Sequence, residues 1–101
     1  MENKVLRIEM PNGSKWDVPV MIIARDRAKY YKDEFDNNIE KSLHDDTLPL
    51  FESNEYEIKD WASNNMNWDD VKEFAKQVPQ SNTETDYQEG WINGEKEIVA
   101  L

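Results

Sequence analysis

"VLRIEMPNGSKWDVPV", residues 5–20, is the stretch on which the fold turns. Leu6, Ile8 and Met10 alternate with Arg7 and Glu9, the period of a strand with one face buried and the other in water. In the following turn, Pro11 supplies the fixed φ of a type I corner and Gly13 the positive φ of a bulge residue. A return strand from about Lys15 to Val18 ends near Pro19, which has no amide hydrogen to give to a sheet.

Beyond Val20 the period lengthens. In "VMIIARDRAKYYKDEF" the residues Ile23, Ala24, Ala28, Tyr31 and Phe35 recur at helical steps, predicting a helix over 20–35 that stops at Asp36-Asn37-Asn38. "IEKSLHDDTLPLF", 39–51, reads as a short helix and then a loop, because Pro49 interrupts any longer helix. Leu48, Leu50 and Phe51 would plug that loop against the core. "NEYEIKDWASNN", 54–65, carries Asn54 as an N-cap, with Glu57 in capping-box position and Glu55 four residues before Lys59. Ile58, Trp61 and Ala62 mark its buried face.

A second start signal follows at Asn67, with Asp70 three residues on and Asp69 also in the first turn. Trp68, Val71, Phe74, Ala75 and Val78 extend that helix to Pro79. Trp61 and Trp68 then belong to two helices meeting at a corner, with Met66 filling the gap. Residues 79–90 read as an exposed loop with the composition of a mobile segment. In "YQEGWINGEKEIVAL", 87–101, Asn93-Gly94 is a strong hairpin signal, and pairing across it would set Trp91 and Ile98 on one face. The expected fold is therefore α+β: one domain, 1–101, in which hairpins at both ends build a small antiparallel sheet packed against a helical middle segment.

The totals agree with one core and narrow the chemistry. A chain of 101 residues is the size of one ordinary domain, and its four tryptophans supply large apolar surface despite 34% charged residues. Cysteine is absent, which excludes disulfides, thiolate metal sites and cysteine nucleophiles. No apolar run has the length of a signal peptide or a membrane span, so the expectation is a cytoplasmic protein without a membrane contact.

The net charge of −10 is unevenly placed. Residues 1–44 hold eight acids and eight bases, whereas 45–101 hold fourteen acids against Lys59, Lys72, Lys76 and Lys96. A surface of that sign repels phosphates and anionic lipid, so binding to nucleic acid is disfavoured. Arg25, Arg27, Lys29 and Lys32 are the cations available for any polyanion.

The segments "WDVPVMIIARDRAKYY", "DDTLPLFES", "WASNNMNWDDVKEFA" and "YQEGWINGEKEI" together resemble a group of short uncharacterised proteins of T4-like marine cyanophages. The resemblance covers most of the chain, from Arg7 to Val99. It implies a phage gene product acting in the host bacterial cytoplasm or in the virion, and it assigns no activity, cofactor or residue role.

Candidate chemistries are few. His44-Asp45-Asp46 is the one place where an imidazole adjoins carboxylates, but adjacent residues rarely converge on one ion, and a solvated turn explains them. The pairs Asp45/Asp46, Asp69/Asp70 and Asp33/Glu34 lack the spaced oxygens and glycine of a calcium loop. Gly13, Gly90 and Gly94 form no phosphate cradle, and no serine stands in a nucleophile elbow. No catalytic, cofactor or metal residue is assigned. Core packing is the better reading of Trp61, Trp68, Tyr31 and Phe74, which leaves Trp16 and Trp91, together with Arg25, Arg27, Asp45 and Asp46, as candidate interaction residues.

The function expected is that of a non-enzymatic phage accessory protein, a protein-interaction module working through an acidic surface or exposed aromatics. A homo-oligomeric structural component is the alternative, with the acidic part of one copy meeting the Arg25–Lys32 stretch of another. An acidic DNA mimic and a small hydrolase or metal-binding protein stand behind both.

Overall fold

The structure, a computed structural model, describes residues 2–78 and 85–101. Strands from both ends of the chain form one four-stranded antiparallel sheet against a helical middle, the α+β arrangement the patterning implies.

Strands β1 (Lys4–Glu9) and β2 (Lys15–Pro19) make the expected hairpin, pairing Leu6 with Val18 and Ile8 with Trp16. Its turn is closed by the Gly13 amide donating to the Met10 carbonyl at 2.9 Å and the Met10 amide donating to Ser14 at 2.8 Å. Gly13 has φ +83°, which an L side chain rarely adopts.

Helix α1 (Val20–Tyr30) buries Val20, Ile23, Ala24 and Ala28. It tightens into a 3₁₀ turn at Lys32–Phe35, and the chain breaks at Asp36 and Asn37, both left-handed.

The expected loop around Pro49 is instead helical. Helix α2 (Ile39–Ser42) runs through a π turn at Leu43–Thr47 into α3 (Leu48–Ser53) without a break. The Leu48 amide reaches back five residues to the Leu43 carbonyl. Such a widened turn moves the carbonyls that a proline ring would strike, so Pro49 is accommodated near the start of α3. Leu43 and Phe51 are fully buried as a result.

Helix α4 (Glu55–Asn65) is capped by the Asn54 side chain, which accepts from the Tyr56 amide at 3.1 Å. Helix α5 (Trp68–Val71) starts at Asn67, as expected, and the capping box forms there with Asp70 and not at Asn54, where Glu57 stood in position for one. It lasts a single turn, and the helix predicted to reach Val78 is corrected: Lys76–Val78 is strand β3, paired with β2. Local periodicity carries no information about the free edge of β2, whose distant backbone groups capture these residues. Phe74 is accordingly 46% exposed, not core.

The C-terminal turn is also corrected. Asn93 is the last residue of helix α6 (Tyr87–Asn93), whose N-cap Asp86 accepts from the Glu89 amide at 3.0 Å. Strand β4 (Lys96–Ala100) then pairs with β1, Leu6 opposite Ile98, and not with a strand just before it. The loop expected over 79–90 lies outside the described residues at 79–84, and from Tyr87 it is helix.

The sheet order is β3-β2-β1-β4. Leu6, Ile8 and Val18 point from one face into a single apolar cluster with Ile23, Leu43, Phe51, Ile58, Val71 and Trp91. Trp61, Met66 and Trp68 are all buried at the corner between α4 and α5, as anticipated. Gln88 of α6 locks that corner: its Oε1 accepts from the Trp68 amide at 2.8 Å and its amide donates to Asn67 at 3.1 Å. A helix-start donor that would otherwise lack a partner is thereby satisfied.

Candidate functional site

Strand alternation places Val5, Arg7 and Glu9 on the face opposite Leu6 and Ile8, joined there by Lys15, Asp17 and Pro19 of β2, Lys76 and Val78 of β3, and Glu97 and Val99 of β4. Val5 is only 6% exposed yet stands outside the apolar cluster under the helices. This outer face therefore buries apolar surface of its own.

Its two halves differ. Across β1 and β2, the Arg7 guanidinium grips Asp17 with two hydrogen bonds, Nε to Oδ1 at 2.7 Å and the terminal nitrogen to Oδ2 at 3.0 Å. The hydrogen bond to Asp17 raises the Arg7 pKa above its ordinary value, with the charges of Asp17 and Glu97 adding to it. Glu9, Lys15, Glu95 and Lys96 border a recess of about 270 Å³ there, a mixture of signs with no charge excess to attract one class of ion.

Toward β3 the face is richer in apolar side chains, with Asp17, Lys76 and Gln77 among them. A groove of about 820 Å³ runs between Val5, Pro19 and Val78 on the sheet and Phe74 and Ala75 before β3, with Leu101 at its rim. Phe74 and Leu101 are 46% and 73% exposed. Trp16 also borders it. Its ring packs edge-on against Trp68 and Tyr87, at 5.6 and 5.5 Å between centroids, and those two rings stack on each other at 5.2 Å. The Trp16 indole N–H and the side-chain amide of its cross-strand neighbour Gln77 have no hydrogen-bond partner among the described residues.

The other predicted interaction residues are dispersed. Trp91 is fully buried, its indole donating to the carbonyls of Ala62 and Met66, so the expectation that it presents a surface is corrected. The hairpin that would have displayed it does not form. Arg25 is paired with Glu40 at 2.6 Å, and Arg27 with Asp46 at 2.8 Å and Thr47 at 2.9 Å. Arg27 also lies over the rings of Tyr31 and Trp61, 4.8 and 5.9 Å from their centroids. Both arginines and Asp46 thus spend their charge within the chain, while Asp45 is exposed.

His44 lies 3.5 Å from Glu40, away from the Asp46 that faces Arg27, so the three adjacent residues do not converge. Among the described residues no group of three or more histidine, aspartate or glutamate side chains is placed to hold a metal ion. Acids of the second part are also paired or dispersed: Glu55 with Lys4, Asp69 with Lys72, and Glu52, Asp70 and Glu73 exposed on different elements.

Sequence reasoning missed Phe74, Val5, Pro19 and Leu101 as a group. The available signal was Val5, an apolar residue in phase with Arg7 and Glu9 on the strand's polar side. No helix among the described residues is long and apolar enough to cross a membrane. Comparison with protein families, with curated proteins and with solved structures finds no match to this chain.

Proposed function

We propose that the chain is a non-enzymatic protein-interaction module, a phage accessory protein in keeping with its resemblance, and that it docks its partner on the outer face of the sheet. One observation carries this reading: Val5, Pro19, Phe74, Val78 and Leu101 surround an open groove on a sheet face that no described helix covers. Apolar surface gathered on one side of a small acidic protein is what a docked protein segment would remove from water. The charged half, with Arg7 fixed between Asp17 and Glu97, supplies a polar rim.

Replacing Phe74 by a photoreactive phenylalanine and irradiating in cyanobacterial lysate tests the assignment. A discrete protein adduct from position 74, absent when the same group replaces Tyr56 (65% exposed on α4), is expected. Adducts of equal yield at both positions, or none at 74, would reject the groove as the docking surface.

A further inference from the structure

The hydrogen-bond phase of the sheet determines what β4 offers to a neighbour. The Glu9 amide donates to the Glu95 carbonyl at 3.0 Å, and the Leu101 amide donates to the Asn3 carbonyl at 2.7 Å. In an antiparallel ladder such bonds recur at every second residue, so Glu95, Glu97, Val99 and Leu101 face β1. The β1–β2 hairpin agrees with this phase, since there the even-numbered Met10 bonds to Ser14. The backbone groups of Lys96, Ile98 and Ala100 consequently point away from the sheet. None of the described residues pairs with that edge, because β4 is the last strand in the order.

Soluble proteins ordinarily blunt such an edge with a bulge, a proline or a projecting lysine. β4 has none of these in place. Its register with β1 is unbroken, it contains no proline, and the Lys96 ammonium folds back to the Ile92 and Gly94 carbonyls, 3.2 Å from each.

We infer that a second copy of this chain binds here, β4 against β4 in antiparallel register about a two-fold axis at Ile98, joining the two sheets into one. In that register Ile98 faces Ile98 of the other copy and Lys96 faces Ala100, so every outward N–H and C=O of the three residues finds a partner. Side chains keep their faces: Ile98, already packed against the core, meets its equivalent on the helix side. On the outer side Glu97 faces Val99. The neighbouring register with its axis at Glu97 is worse, since it opposes two carboxylates.

This contact meets the groove only at its rim: no groove residue lies in β4, and Leu101, which follows it, comes opposite Glu95 of the other copy. It also differs in sign from association between an acidic part and a basic stretch. Two copies each of charge −10 repel at long range, so added salt strengthens an edge-to-edge dimer and weakens a charge-driven one.

Sedimentation across a concentration series tests the proposal on the intact chain, with hydrogen exchange on the same samples. A monomer–dimer equilibrium tightened by salt is expected, with the Lys96, Ile98 and Ala100 amides becoming protected as the dimer forms. Since the chain has no cysteine, Ile98→Cys gives a single thiol placed opposite itself. It is expected to form a disulfide dimer on mild oxidation faster than Ser53→Cys. Val99→Lys, set opposite Glu97, is expected to tighten the dimer about twofold to fivefold, and Val99→Glu to loosen it comparably. A monomer at all concentrations and salts overturns the proposal, as do equal cross-linking rates of the two cysteine variants or a dimer in which those amides exchange as in the monomer.

Discussion

The indole N–H of Trp91 donates to the carbonyl of Ala62 at 3.0 Å, in a site with no solvent exposure. It also reaches the Met66 carbonyl at 3.1 Å, where α4 has ended and its last carbonyls lack helical partners. One ring therefore fills the core beneath the sheet and closes the C-terminal end of α4.

Trp91→Phe keeps much of the ring but removes the donor, leaving buried carbonyls unpaired, and is expected to cost about 1–3 kcal/mol. Trp91→Ala adds the cavity and is expected to cost about 3–5 kcal/mol. Urea unfolding followed by circular dichroism reads both. Equal stability of Trp91→Phe and the parent chain would show that the indole hydrogen bonds contribute nothing.

At Gly94 an added Cβ would collide with the backbone carbonyls of Glu9 and Gly90, neither the end of a flexible side chain. Gly94→Ala is expected to destabilise by about 1–3 kcal/mol, as overpacking against fixed atoms does. Gly13→Ala meets no such atoms and is penalised only by its positive φ, so it separates the two effects in thermal melts.

Asp17 is 11% exposed at its side chain and accepts two bonds from Arg7. Asp17→Asn removes one of the two charge-assisted acceptors of the Arg7 guanidinium and is expected to lower the midpoint of chemical denaturation. Phe74→Asp, on the half-exposed rim of the groove, is expected to cost about 1 kcal/mol of stability while abolishing partner capture.

The hydrogen bond from Arg25 holds the Glu40 carboxyl below its usual pKa, aided by the charges of Arg25 and His44. A carboxyl with a depressed folded pKa contributes stability above its unfolded pKa and loses it as pH falls through the folded one. Melting temperature is therefore expected to fall less between neutral and strongly acidic pH in Glu40→Gln than in the parent. Superimposable pH profiles would count against the ion pair.

The parts of the fold legible in the sequence are those fixed within a few residues. Leu6 and Ile8 alternate, Gly13 turns, and Asn67 with Asp70 caps, each through a neighbour three or fewer steps away. α6 was equally local, for Asp86 followed by Glu89 is a helix start, but Asn93-Gly94 carries a competing hairpin signal. The β4–β1 pairing settles that competition from the other end of the chain. β3 and the π turn before Pro49 lie further out of reach, since one depends on a free strand edge and the other on how a core closes. The groove shares that difficulty: Val5, Phe74 and Leu101 are far apart in sequence and meet only when the sheet is ordered.

That order also sets a timetable for synthesis. β1 is translated first and sits inside the sheet, whereas its neighbour β4 lies nearly the whole chain away. Until residues 96–100 have left the ribosome, β1 carries a bare edge while β2 already flanks its other side. Contacts this distant in sequence form late and slowly, so the nascent chain passes through a stage whose stickiest feature is a strand that the finished protein encloses on both sides.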